Sequence, residues 1–242
     1  MEYNNSYDNG SYDKGRTVAG TDAFAVLMRN VYTWMTCGLT MTALTAMIVG
    51  RNENWVYALA ANSGLFWGLL IAEIALVMFL TVRLDKMSFT MAGLMFAAYA
   101  ILNGVTLSFI VMLYTAESIA QAFFVTAGTF GGMSLFGYFT RRDLSAIGRA
   151  LVMALVGLIV ATLVNMFWQN SVMASVLNYA GVLLFVGLTA YDTQKIKQMM
   201  LQTQHAGVSD QTNKLALMGS LMLYLDFVNL FLYLLRILGK RK

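Results

Sequence analysis

The chain has no proline, one cysteine and one histidine, and it is short of charge. Only 12% of its 242 residues are Asp, Glu, Lys or Arg, against about 25% in an ordinary soluble domain. That shortage excludes a water-soluble fold of the usual kind. Without proline the commonest helix breaker is missing, so any kink must come from glycine or polar residues. A single cysteine, Cys37, rules out a disulfide within the chain. Set in an apolar run, it reads as a small packed residue. The lone His205 lies in a polar connector and is assigned no role. No Cys/His set has metal-ligand spacing, and no glycine-rich phosphate loop follows a strand. The net charge is +4. The positive residues are scattered in short gaps between apolar runs, which excludes a nucleic-acid-binding face and fits a polytopic membrane protein.

What is present is apolar. Hydrophobic residues make up 59% of the chain, and the mean hydropathy is +0.65. Eighteen methionines supply flexible filler for irregular packing between helices. A helix needs about 20 mostly apolar residues to cross a bilayer core. Seven runs qualify, at 31–49, 65–83, 89–113, 119–139, 149–168, 173–193 and 215–237. They are too long for strands and do not alternate. The fold class read from this pattern is all-α integral membrane, a single seven-helix bundle over residues 25–242. Residues 1–24 precede it as a polar cytoplasmic tail, and MEYNNSYDNGSYDKGRTVAGTD reads as flexible. No secretory signal pattern stands at the start. Two GxxxG patterns, GLFWG at 64–68 and GTFGG at 128–132, read as points of close helix packing.

Lys and Arg set the orientation. With the N-terminus inside, the inner segments hold eleven of them: Lys14, Arg16, Arg29, Arg83, Lys86, Arg141, Arg142, Arg149, Lys195, Lys197 and Lys214. The three outer loops hold Arg51 alone. Seven spans then place Arg236, Lys240, Arg241 and Lys242 outside, against the rule. Six spans with a re-entrant segment is the alternative, and the length of the 215–237 run favours seven.

Three carboxylates fall inside the predicted spans: Glu73, Asp192 and Asp226. An ionisable residue at a helix centre costs on the order of 2.5–3.5 kcal/mol and normally faces the bundle interior or a water-filled path. At about 100° per residue, Asn229, Tyr233 and Arg236 lie within about 80° of Asp226, giving the last helix one polar stripe. By the same arithmetic Asn178, Gly181 and Asp192 share a face of the preceding helix. Two inward carboxylates on consecutive helices are expected to meet. A pair that meets cannot cheaply ionise twice, so it shares a proton and titrates as one unit. Arg83, about 15 Å along the axis from Glu73, is a candidate latch for an ionised aspartate. Asn103, Asn165 and Asn178 read first as hydrogen-bonding glue between helices, with Asn178, Asn229, Tyr233 and Glu73 also candidates for an ion pathway.

These residues resemble a known family. AYDTQKIK at 190–197, LYLDFVNLFLYLLRI at 223–237 and YFTRRDLS at 138–145 are similar to motifs of the Bax inhibitor, or transmembrane Bax inhibitor motif, family in its bacterial branch. The resemblance implies a seven-helix bundle with the last helix central. It implies a pH-sensitive calcium leak across the cytoplasmic membrane, with Asp192 and Asp226 as the sensing pair and Arg83 as the latch. Calcium is a hard cation that takes carboxylate and other oxygens, so the pair, with Asn229 nearby, is expected to form at most a weak, transient calcium site. No EF-hand pattern is present. Calcium and protons are the expected partners beside membrane lipid, with no tightly bound cofactor and no enzymatic activity.

Binding to a membrane-anchored AAA protease is the principal alternative, with the N-terminal tail as handle. A proton-coupled transporter would also use a carboxylate relay. An intramembrane aspartyl protease is disfavoured, because Leu223, Tyr224 and Leu225 stand where a GxGD motif is needed and its proline motif has no counterpart.

Overall fold

The computed structural model describes residues 9–202 and 209–242, with side chains from Phe24 onward except at 53, 59, 60 and 85. Eight α-helices follow in order: α1 (Asn9–Gly50), α2 (Glu53–Ala61), α3 (Ser63–Arg83), α4 (Phe89–Leu113), α5 (Ala116–Phe139), α6 (Ser145–Trp168), α7 (Ser171–Gln202) and α8 (Asp210–Leu238). A 3₁₀ turn, Leu84–Lys86, separates α3 from α4. Seven of these helices are long and apolar enough to cross a membrane, the first over Phe24–Gly50. They coincide with the seven runs read from the sequence. The short α2 was not anticipated.

In the absence of proline, the chain turns on small polar caps. The side chains of Asn52, Asn62, Ser88, Thr115 and Asn170 each accept a hydrogen bond from a backbone N–H three residues on. Ser209 and Thr212 form a reciprocal capping box at the start of α8. Each satisfies one of the donors that a helix start leaves unpaired. The C-terminus of α6 is closed by Gln169 in the left-handed region, φ 49°.

The last helix is the centre of the bundle. In its membrane window 61% of residues are buried, against at most 33% for any other span. Helices α1, α4, α5 and α7 all pack on it, α3 lies outside α4, and α6 lies outside α7. The outer surfaces carry bare hydrophobics such as Phe124, Phe139, Phe167 and Leu183, each more than 70% exposed. Water would not tolerate such a surface, and a lipid-facing one requires it.

Several expectations need correction. The polar stretch after residue 193 is not a long connector: α7 runs on to Gln202, as Lys, Gln and Met are good helix formers. His205 lies in 203–208, outside the described residues. Residues 1–8 of the expected tail are likewise outside them, while from Asn9 the backbone is part of α1, since extending a formed helix is far cheaper than nucleating one. Cys37 is exposed rather than packed; in lipid an apolar residue gains little from burial in protein. Gly68, Gly128, Gly131 and Gly132 of the GxxxG patterns face open space. Close approach is made by other glycines: Gly137 against the backbone of Ala190, Gly148 against the ring of Tyr191, and Gly38 against Phe96.

The question of six or seven spans is answered by the segment after α8. Tyr114 and Arg241 form an antiparallel bridge. Thr115 N–H donates to Lys240 O at 3.3 Å and Lys242 N–H to Leu113 O at 2.9 Å. Residues 239–242 are therefore tied to the α4–α5 turn, at the end of the bundle opposite the start of α8, and α8 runs the full length of the bundle.

Candidate functional site

Helices α7 and α8 run antiparallel, and glycines fix their register. Gly181 lies against Tyr233, where an added methyl would meet a ring carbon at 2.5 Å. Gly219 receives Ile196 in the same way, and Phe185 stacks on Tyr233 with ring centroids 5.8 Å apart. Between these anchors stand Asp192 and Asp226. At about 1.5 Å rise per residue their levels agree to about one helical turn, and the two carboxyls are electrostatic neighbours. The two acids expected to face each other thus stand at neighbouring levels of α7 and α8, within each other's electrostatic reach.

Asp226 is 4% exposed, and its Oδ2 has no hydrogen-bond partner. Leaving a buried acceptor unpaired costs about 1–3 kcal/mol, so a residue kept only for packing would be a poor choice here. Asp192 is half-buried. The cation whose field reaches it is Lys195, one turn further along α7, a residue the sequence reading overlooked. Arg83 is exposed at the inner end of α3. Among the described residues the ion pair is Lys214–Asp210, at 3.2 Å, so Arg83 is not latched to either aspartate. The turn that follows it packs on α8 and keeps it near the inner part of that helix. Also among the described residues, no group of three or more His, Cys, Asp or Glu side chains gathers.

Glu73 belongs to a different cluster. It is 8% exposed and accepts hydrogen bonds from Thr106 and, at 3.5 Å, from Asn103 Nδ2. Asn103 Oδ1 accepts from the Tyr224 hydroxyl at 3.2 Å, and that hydroxyl stands 2.7 Å from Thr42 Oγ1. Thr42 in turn donates to Ala100 O at 2.9 Å. One polar chain thus links α3, α4, α8 and α1. Tyr224 and Asp226 are two residues apart, about 200° around the helix. The central helix therefore shows its tyrosine to Glu73 and its aspartate to α7, with its own width between the two acids.

The rest of the α8 stripe leads toward the other end of the bundle. Asn229 Nδ2 donates to Leu225 O of its own helix at 2.8 Å. Tyr233, Asn178 and Arg236 line a cavity of about 420 Å³ at the end of the bundle where the 239–242 segment is tied. Asn178 is fourteen residues from Asp192, about 21 Å along the axis, so the structure does not bring it to the acid pair.

At the inner end, the stretches 138–145 and 190–197 dock on each other. Gln194 Nε2 donates to Arg142 O at 2.8 Å, and Leu144 N–H donates to Gln194 Oε1 at 2.8 Å. Lys197 Nζ donates to Tyr138 O at 2.7 Å. Tyr32, Ser134 and Thr193 join α1, α5 and α7 through contacts of 2.5 and 3.1 Å. The stretch 138–145 is thereby clipped to the helix that carries Asp192.

Comparison with known proteins decides the family. The family model described as "Inhibitor of apoptosis-promoting Bax1" matches residues 25–242. The chain belongs to the Bax inhibitor family. It is 46% identical over 215 residues to "Inner membrane protein YbhL" of Escherichia coli K12, covering 89% of this chain and 92% of that protein. An uncharacterised protein of Borreliella burgdorferi is 42% identical over 217 residues, with 89% and 92% covered. One from Deinococcus radiodurans is 40% identical over 221 residues, with 91% and 93% covered. This Bax inhibitor family member is a multi-pass protein of the bacterial inner membrane.

Sequence reasoning missed Thr42, Thr106, Tyr224 and Gln194. Thr42 and Tyr224 sit in runs dominated by Leu, Met and Thr, where one hydroxyl gives no local signal. Asn103, read as glue, does hydrogen-bond α4 to α3 and α8.

Proposed function

We propose that this protein is a pH-gated leak pathway for calcium through the cytoplasmic membrane. The observation that carries the reading is Asp226: a carboxyl 4% exposed on the central helix, with one oxygen unpartnered and Asp192 beside it. A proton shared by such a pair lets α7 and α8 pack closely. Its loss leaves two like charges facing each other, which favours a different arrangement. The pair then biases a two-state element, as a protonation switch must. Arg83, free of ion pairs here, is the latch for that second arrangement, and Lys195 is a competitor for Asp192. Two carboxylates with backbone or water oxygens suit a hard cation in passing rather than in storage. Glu73, across α8, and Asn229, Tyr233 and Asn178, further out, are the further pathway candidates.

The test is calcium flux into proteoliposomes with a trapped calcium dye, stepped between mildly acidic and mildly alkaline pH, for the native protein and Asp226→Asn. The native flux should change with pH and the variant's should not. Folded native protein that passes no more calcium than empty liposomes at any pH would overturn the reading.

A further inference from the structure

Four positive residues, Arg236, Lys240, Arg241 and Lys242, sit at the outer end of a bundle whose other charges follow the positive-inside rule. Three of them are not loosely held. Lys240 N–H donates to Ser118 Oγ at 2.9 Å, its carbonyl accepts from Thr115, and Lys242 N–H donates to Leu113 O. This backbone tie holds Arg241 in the lining of the 420 Å³ cavity, which Arg236 also lines. Two more donors face the same space. Asn165 Oδ1 accepts from Asn170 N–H at 3.1 Å, which turns its amide NH₂ to other use. The Asn178 amide makes no hydrogen bond among the described residues. Among the described residues no Asp or Glu side chain lines the cavity, and neither arginine is ion-paired.

A cavity that offers two guanidiniums and two amides, and no acid, is built for an anion with several oxygens. Guanidinium forks match phosphate oxygens in particular. Beside Thr162 and two tyrosines, the remaining walls are apolar, among them Ile110, Leu113, Leu177 and Leu232. On the far side of Ile110 and Tyr114 lies an apolar groove of about 510 Å³ with Lys242 at its end. A soluble anion has no use for such walls, and an acyl chain does. The arginines stand at the end of a spanning helix, at the depth where lipid phosphates lie. We propose that the outer cavity binds the phosphate of an anionic phospholipid through Arg236 and Arg241, with its chains along the adjoining apolar surface. The helix C-terminal dipole of α8 would welcome positive charge here regardless, but that effect alone needs neither a cavity nor a tied segment. Asn178 and Tyr233, the outer pathway candidates, line the same cavity, but lipid retention is read without any calcium flux.

The experiment uses the full chain in mild detergent. Native mass spectrometry reads retention of phosphatidylglycerol against phosphatidylcholine of the same chains, with sn-glycerol 3-phosphate as a soluble competitor. Both lipids carry the phosphate, but the choline ammonium offsets its charge and is repelled by the guanidiniums, so the net negative charge of phosphatidylglycerol predicts a preference of roughly tenfold. It should vanish in Arg236→Gln/Arg241→Gln, survive Lys86→Gln at the inner end, and resist glycerol phosphate. Equal retention of both lipids by the native protein refutes the proposal. So does an unchanged preference in a double variant whose circular dichroism is native, which would leave helix-end charges only. Displacement by glycerol phosphate at matched concentration would make the ligand a free anion and overturn the lipid assignment. If the double variant does not fold, the native protein's lipid comparison and the competitor still decide.

Discussion

Replacing Asp226 by Asn separates a functional acid from a structural one. The two side chains have nearly the same shape, so packing around α8 is preserved. Once the shared proton is lost, as at mildly alkaline pH where the comparison is made, Oδ2 is a buried acceptor with no donor and the Asp192 carboxylate is another. Asparagine replaces one acceptor oxygen by an NH₂ donor and removes one acid. An unpaired buried acceptor costs about 1–3 kcal/mol, and a hydrogen bond between membrane helices contributes about 0.6 kcal/mol on average, up to about 1.7. The variant should therefore be more stable by about 1–2 kcal/mol. For a domain of this size that is a rise in Tm of roughly 2–8 °C. Thermal unfolding in detergent, followed by tryptophan fluorescence from the four Trp residues, reads it directly. The same preparation, reconstituted, should lose the pH response of calcium flux. A gain in stability paired with a loss of regulation is the signature of a residue retained for function against stability. A drop in Tm of similar size would refute the reasoning, because it would mean that Asp226 holds the bundle together as an ordinary polar contact.

The buried polar chain around Tyr224 predicts that Tyr224→Phe destabilises by about 1 kcal/mol. A double-mutant cycle with Thr42→Val should show a coupling of about 0.5 kcal/mol or more, and additivity would break the inferred link. Gly137→Ala drives a methyl into the backbone of Ala190 and should cost about 1–3 kcal/mol, whereas Gly131→Ala, facing open space, should change stability by less than about 0.5 kcal/mol; Tm in one detergent compares them. Gln194→Ala removes both hydrogen bonds that clip residues 142–144 to α7, so limited trypsin should cut after Arg141 or Arg142 several times faster, and an unchanged rate would show the loop held by other means. Single cysteines at Lys86 and Lys240 in a Cys37→Ser background should label from opposite faces of the membrane; labelling from the same face would disprove the complete crossing of α8.

The sequence by itself determined the class and the punctuation of this protein. Length and hydropathy of the apolar runs set the seven spans, because the bilayer core fixes how many residues a crossing needs. Asn, Ser and Thr at the run ends marked the turns, because each carries the oxygen that a helix start lacks. The cost of an acid in hydrocarbon singled out Glu73, Asp192 and Asp226, and helical periodicity put the last two on facing stripes. Which groups actually meet was decided only by tertiary structure. Asp226 and Asp192 stand at neighbouring levels because Gly181 and Gly219 set the register of α7 and α8, while Glu73 is carried to the opposite side of the central helix and bonded to Asn103 and Thr106. The GxxxG patterns look onto open space, and glycines without a pattern make the close contacts, since a lipid-facing and a protein-facing apolar surface read alike in one dimension. The side on which the last positive charges lie rested on a bridge between Tyr114 and Arg241, residues more than a hundred positions apart, and no local signal in either stretch could announce that pairing.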